Sequence, residues 1–321
     1  MNKLYVKSWN LLGTSLLIQY YIRRRQHRNE ILKELDHRIE EFKKRFSPES
    51  PLSEIKKINQ KAGIEAVEIK EDLHKLVKKL YHYSKKSKGK MNLLIDPLIH
   101  LHKDQTKSIL DKNQGSLILK KQLLLTKYRD LSVHRRHPYV YLKQKGMRLN
   151  LTSQLKSYIT DQLTDYLVSQ GICEIRIRFG KRLQIVGSKF NALYTNELKN
   201  KFTASLDNLP EIVTQLTKHK QKRLAITFKG HNPFENKTPT PIICPRTGQL
   251  IKSNMMMIAV IAPNSLEAEI WSRILLNEKP RRALETIKKH VNLKGLIVTQ
   301  KGDTLISDYS APNMTHFSDI L

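Results

Sequence analysis

Residues 244–250 read Cys-Pro-Arg-Thr-Gly-Gln-Leu. Pro245 fixes its own φ and Gly248 permits a positive one, so the segment reads as a built turn at a strand end. It presents a guanidinium, Arg246, and a hydroxyl, Thr247. A guanidinium forks onto carboxylate or phosphate oxygens, so anion recognition is the chemistry on offer. Lys156, in Leu-Lys-Ser-Tyr-Ile-Thr-Asp, and Glu269 with Arg273 at i,i+4 are further charged positions. Each also has a plain structural reading. Pro245 and Gly248 suit an ordinary turn, Lys156 a solvated helix face, and Asp161 a position facing water or capping nearby backbone. Glu269 and Arg273 suit a surface pair worth a few tenths of a kcal/mol.

The chain has 321 residues, enough for a sizeable core. Fifty-eight Lys and Arg against 29 Asp and Glu leave a formal charge of +29. Such a surface favours polyanions, among them nucleic acid, anionic lipid and phosphate-rich ligands. The basic residues are spread over YIRRRQHR, KKLYHYSKKSKGK, SVHRRHPYVYLKQKGMR and TKHKQKR rather than gathered in one tail. Cys173 and Cys244 have no metal spacing and read as separate buried thiols in a reducing compartment. No apolar run is long enough to span a membrane. The opening LLGTSLLIQYYIRRR lacks a small-residue cleavage site, and its arginines follow the apolar stretch, so the expected location is cytoplasmic.

These groups must be positioned by recognisable elements. TSLLIQYYI reads as an early buried strand, and Ile31, Leu35, Ile39, Phe42 and Phe46 make the stripe of a helix over 24–46. Ser53 caps a short helix. Leu73, Leu76, Val77 and Leu80 define a helix over about 70–86, with Gly89 past its end. SLILKKQLLLTKYR, within 102–148, contains strand-like runs. Leu155, Ile159, Leu163 and Leu167 form a helical stripe closed by Gly171, and CEIRIRFG with RLQIVGS reads as a hairpin. A helix near 209–218, strand LAITFK, the 244–250 turn, strand MMMIAVIA, helices over 264–289 and strand GLIVTQ complete the order. Met255, Met256 and Met257 are core packing. The alternation gives an α+β or α/β architecture on mixed sheets with flanking helices. With no repeat and no Pro/Ser-rich linker, residues 1–321 read as a single compound domain.

The order of LLGTSLLIQYYI, RFSPESPLSEIKKIN, LNLTSQLKSYITDQLTDYLVSQGI, IICPRTGQL and VIAPNSLEAEIWSRIL resembles the FAD:protein FMN transferase family, the ApbE-like flavin transferases, over about residues 10–290. The residues beyond 290 are expected to form a C-terminal extension. The resemblance implies a two-lobed α+β fold, FAD as substrate, Mg2+, and transfer of FMN onto a Thr or Ser of an acceptor flavoprotein with release of AMP. It also implies site residues. The family's opening Met-Gly-Thr falls on Leu12, Gly13 and Thr14, and its Gly-Ala-Phe-Asp stretch on Gly89, Lys90, Met91 and Asn92. The segment opening on Asn150 keeps Lys156, Tyr158 and Asp161, but Asn150 stands for an acid and Thr152, Ser153 and Ser157 for glycines. A backbone oxygen near Ser153 is the implied metal contact. Pro245, Arg246, Thr247 and Gly248 are kept while Cys244 replaces an aspartate. The late metal motif becomes Ala268 and Glu269, with Arg273 where a threonine is usual.

The resemblance therefore implies Lys156 and Arg246 as catalytic groups, and Leu12, Gly13, Thr14, Lys90, Met91, Asn92, Asn150, Lys156 and Arg273 as FAD-binding groups. Ser153 and Glu269 are the implied metal contacts. Three expected carboxylates are missing, and Arg273 adds positive charge that repels a divalent cation and suits phosphate. Three readings stand at this point: a flavin transferase, a catalytically silent homologue that binds flavin or a partner protein, and a basic nucleic-acid-binding protein.

Overall fold

The computed structural model describes residues 3–22, 25–105, 112–190, 223–230, 242–251, 254–301 and 303–307. The helix expected near 209–218 lies outside them. Contacts divide the chain into two compact units. Unit 1 comprises Met1–Ile39, Lys156–Thr240 and Ser253–Leu321, and unit 2 comprises Glu40–Leu155 and Pro241–Lys252. No described helix is long and apolar enough to cross a membrane.

Unit 1 is built on one eight-stranded sheet. Its strands are β1 (Lys3–Leu11), β2 (Thr14–Ile22), β6 (Ile175–Phe179), β7 (Arg182–Val186), β8 (Arg223–Gly230), β9 (Met255–Ala262), β10 (Lys294–Thr299) and β11 (Thr304–Ile306), and they lie in that order. Every pairing between described strands is antiparallel, where mixed sheets were expected. Short turns join β1 to β2, β6 to β7 and β10 to β11, and only antiparallel neighbours allow such closures. The residues after 290, read as an extension, supply β10 and β11 and so belong to this sheet. On one face Leu183, Ile185, Leu224, Ile226, Met257, Ala259, Ile261, Leu296 and Val298 form a closed apolar cluster. Met255 and Met257 are buried, as packing required, and Met256 is partly so.

The first long helix, α1 (Arg25–Phe46), starts in unit 1 and ends in unit 2. Its stripe of Ile31, Leu35, Ile39, Phe42 and Phe46 is buried throughout. In unit 1 Asp36 on α1 accepts from Lys7 Nζ and Trp9 Nε1 at 2.8 Å each, tying the helix to β1. Helix α6 (Thr152–Ser169) buries Leu155, Ile159, Leu163 and Leu167 and ends where Gly171 takes φ +75°. Helix α7 (Ser265–Leu275) packs on β7, β8 and β9, and α8 (Pro280–Lys288) on β10 and β11.

The start of α7 is held by a carboxylate remote in sequence. Asp161 Oδ1 accepts from Ser265 N at 2.8 Å and Oδ2 from Leu266 N at 2.9 Å, while the Asn264 side chain accepts from Glu267 N at 2.9 Å. Three orphan donors of the first turn are thereby satisfied. Burial lifts Asp161 above its ordinary pKa, against those N–H groups and the Arg223 guanidinium.

Unit 2 holds a small sheet, β3 (Val67–Glu68), β4 (Leu131–Val133) and β5 (Tyr139–Leu142), in the order β3-β5-β4. Around it stand α2 (Glu54–Gln60), α3 (Glu71–Lys86), α4 (Asp96–Gln105) and α5 (Lys112–Leu125). Ser53 caps α2 by accepting from Lys56 N at 3.4 Å. Leu73, Leu76, Val77 and Leu80 are the buried side of α3. Arg45 forks onto Asp72 at 2.7 and 2.8 Å and reaches Glu54 at 2.6 Å, joining the end of α1 to α2 and α3. Residues 112–125, which contain the runs that look strand-like, are helical instead. Leu119 and Leu123 fall four apart, one face of a helix, and both lie against Gly248.

The 244–250 segment is a closed turn. Gly248 N donates to Cys244 O and Cys244 N to Gln249 O, both at 2.8 Å, beneath the Ile243–Leu250 bridge. Gly248 takes φ +69°, and a Cβ there would come within 2.6 Å of Leu119.

These anchors set two expectations for stability. Asp161→Ala strands two backbone donors and leaves Arg223 with Asp165 as its remaining carboxylate, and is expected to cost about 2–4 kcal/mol in urea unfolding. Gly248→Ala combines a left-handed backbone with a steric clash, and a loss of about 1–3 kcal/mol should appear in the same measurement.

Candidate functional site

The residues implied by the motifs fall into two sets, one in each unit. In unit 1 the set is seeded by the β1–β2 turn. Leu12 (φ +49°) and Gly13 (φ +65°) are both left-handed, the geometry whose twist matches the flanking strands. A leucine adopts this at a cost that glycine avoids. The turn delivers Thr14 to the start of β2, where its Oγ1 accepts from Lys156 Nζ at 2.5 Å. Lys156, on α6, lies over the Phe179 ring at 5.6 Å. Burial pulls its pKa down to about 8, helped by Arg182 and opposed by Glu269. It is not the solvated helix residue that its sequence context allowed.

Glu269 is the centre of this set. It projects from α7, is 0% exposed, and is surrounded by three cations. Arg182 Nη2 reaches Oε2 at 2.8 Å, Lys229 Nζ reaches Oε1 at 2.8 Å, and Arg273 Nε donates to Oε1 at 2.9 Å. The i,i+4 pair with Arg273 therefore exists, but its acid is buried rather than on the surface. Arg182 Nε also donates to Ser157 Oγ at 2.9 Å, tying β7 to α6. Burial alone would raise Glu269. The charges of Arg182, Lys229 and Arg273 outweigh it and hold the carboxyl well below the usual range. Burial pulls Lys229 down to about 7 although Glu269 opposes the shift. Arg182 and Arg273 stay charged while Lys229 and Lys156 titrate at about 7 and about 8, so around neutral pH the cluster carries more positive charge than the one carboxylate offsets.

Arg182 and Lys229 carry no motif. Their only sequence signal is strand alternation: Arg182 with Gln184, and Thr227 with Lys229, put polar groups on one face of strands whose other face is apolar. Glu269 stands 87 residues from Arg182 in the chain, so that pairing was not legible.

The unit 2 set comprises Lys90, Met91, Asn92, Asn150, Ser153 and Arg246. Met91 is core. Asn92 is buried and engaged by backbone: Nδ2 donates to Thr126 O at 2.7 Å and Oδ1 accepts from Leu94 N at 2.9 Å. Asn150 donates to Asp96 Oδ1 at 2.7 Å, and Oδ1 accepts from Thr152 N at 3.2 Å. Asp96, which no motif marks, further accepts from Arg148 Nε at 2.8 Å. Ser153 is in the first turn of α6 and Lys90 just beyond α3. Arg246 is exposed on the 244–250 turn. Both cysteines are free, but neither is buried: Cys173 is exposed in the turn after α6, and Cys244 is intermediate. Burial alone would push the Cys244 thiol up. Hydrogen bonds from the Thr247 side chain and the backbone N–H groups of Arg246 and Thr247, with the Arg246 charge, bring it below its ordinary value.

A divalent cation does not fit the donors around Glu269. Magnesium needs bare, hard oxygens in near-octahedral order. Both Glu269 oxygens are already taken by cations. Unit charges 4 Å apart interact by about 4 kcal/mol at an effective dielectric of 20, so a divalent ion would meet about twice that from each neighbour. Among the described residues no group of three or more His, Cys, Asp or Glu could hold a metal.

The model of the ApbE family matches residues 12–297. The FAD:protein FMN transferase of Klebsiella pneumoniae (strain 342) is 22% identical over 99% of this chain and 96% of its own length. Its counterpart in Buchnera aphidicola subsp. Schizaphis graminum is 23% identical over 84% of this chain and 79% of its own. Among solved structures, the flavin transferase ApbE from Vibrio cholerae superposes with a TM-score of 0.72 at 17% identity, covering 96% of this chain and 98% of that one. The apo form of the Pseudomonas stutzeri flavinyl transferase ApbE gives 0.73 at 16% identity, covering 96% of each. The strand-by-strand α+β fold, the order of the motifs and the family match agree, and the chain belongs to the ApbE family.

Proposed function

We propose that the chain is an FAD:protein FMN transferase that moves FMN from FAD onto a Thr or Ser of an acceptor flavoprotein and releases AMP. The reading is carried by the family match over residues 12–297, with relatives of that activity aligned along nearly the whole chain. In the reaction the acceptor hydroxyl attacks the phosphorus of the FMN half of FAD. A new phosphoester bond forms, the bond from that phosphorus to the AMP phosphate oxygen breaks, and AMP leaves with that oxygen.

The hydroxyl proton needs an acceptor, and negative charge on the diphosphate needs compensation. Lys156, with its pKa near 8, holds a usable fraction of neutral amine around neutral pH and can take the proton. Thr14 Oγ1 positions that amine. The cations around Glu269 supply positive potential in unit 1. Magnesium does not suit the donor set around Glu269, whose oxygens already face Arg182, Lys229 and Arg273. That same saturation of Glu269 favours, as a second reading, a homologue that retains FAD without cleaving it.

Incubation with FAD and a purified acceptor domain separates the two. The first reading gives flavin fluorescence on the acceptor band and one AMP per flavin transferred; FAD retention without AMP gives the second. For the wild type, the base form of Lys156 grows as pH rises through about 8, so the rate should climb from pH 6 and level off above about 9. Lys156→Met is expected to lower kcat by about 10²-fold and flatten that rise. An unchanged pH profile in the variant removes Lys156 from the chemistry.

A further inference from the structure

We infer that the Glu269 cluster is an oxyanion site for a phosphate or diphosphate group, held by guanidinium and ammonium groups without a divalent cation. This deepens the transferase reading and rests on it for the identity of the natural ligand, but the site itself is argued from its own charges. Both Glu269 oxygens already face cations, Oε2 Arg182 and Oε1 Lys229 and Arg273, so a metal bound there would sit against three positive groups. Arg182 and Arg273 alone outnumber the one carboxylate, and the protonated fractions of Lys229 and Lys156 add to the excess. Such an excess in a poorly solvated place is relieved by an incoming anion.

Access and geometry also suit an anion. The Arg273 side chain is 30% exposed and that of Lys229 17%, whereas Glu269 itself is shut off from solvent. A ligand entering here therefore meets cations first. Arg273 contacts Glu269 through Nε and its side chain is part-exposed, and a guanidinium carries further N–H donors beyond Nε that can take phosphate oxygens. Glu269 then serves as a positioning residue, fixing three donors from α7, β7 and β8 by a single carboxylate.

The test uses the full chain and inorganic pyrophosphate, followed by isothermal titration calorimetry in EDTA at fixed ionic strength. Pyrophosphate should bind, and replacing EDTA by excess Mg2+ should not tighten the binding. Arg273→Gln should weaken it at least tenfold, and Arg273→Lys should recover part of the loss. Mn2+ followed by electron paramagnetic resonance should show no bound ion that depends on Glu269. The inference is overturned if pyrophosphate binds only with Mg2+, if Arg273→Gln binds as wild type does, or if Glu269→Asp abolishes a Mn2+ site. Because the Glu269 variant can fail to fold, the Arg273 pair alone decides the matter. Pyrophosphate binding without flavin transfer would keep this site and remove the transferase reading; transfer with strictly Mg2+-dependent pyrophosphate binding would do the reverse.

Discussion

A carboxylate with no contact to solvent must be compensated where it stands, and Glu269 sets that requirement for unit 1. Its oxygens draw Arg182 from β7, Lys229 from β8 and Arg273 from its own helix to one point. The sheet face that carries Arg182 and Lys229 could not be covered by a purely apolar helix without stranding those charges. The position of α7 on β7, β8 and β9 is thus tied to electrostatics as much as to packing. Asp161 reinforces it by holding the first backbone donors of the same helix.

Substitutions that look scattered along the sequence make one physical pattern. Arg273, where the family usually has a threonine, brings a fixed charge onto Glu269. Asn92 and Asn150, standing for acids, bond to Thr126 O and to Asp96. An amide can donate to a carbonyl or a carboxylate, as an ionised acid cannot, so these positions hold unit 2 together without adding negative charge. Cys244, in place of an aspartate, keeps the hydrogen bonds of its turn through a weaker and more neutral group. These four changes all move in the direction of less anionic protein at the positions the family motifs mark.

Much of the fold was legible because its signals are local. The stripe Leu155, Ile159, Leu163 and Leu167, the Ser53 cap and the alternation of CEIRIRFG each depend on neighbours a few residues away. The misreading of residues 112–125 has a local cause too: short apolar runs such as LIL and LLL fit strand and helix alike, and only the packing of Leu119 and Leu123 over Gly248 decides. The site was half legible. Lys156, Thr14, Glu269 and Arg273 stood in motifs, but Glu269 looked like one half of a surface pair, since Arg182 and Lys229 reach it from distant strands. Asp161 suits a position facing water or capping nearby backbone, yet the backbone it holds begins at Ser265. Long-range partners leave no trace in a single sequence.

The strand order of unit 1 also governs how the chain emerges during synthesis. β1 and β2 are made first, but the next strand in their sheet is β6, where Phe179 pairs with Leu16. Most of unit 2 is translated in between and can condense while Leu16, Ile18 and Tyr20 still lack the cover they have in the finished sheet. Such distant pairings close slowly, because a long loop must be ordered before the contact rewards it. Until β6 is made, the second edge of the hairpin offers unpaired backbone groups, the kind of edge that chaperones or another strand can take up.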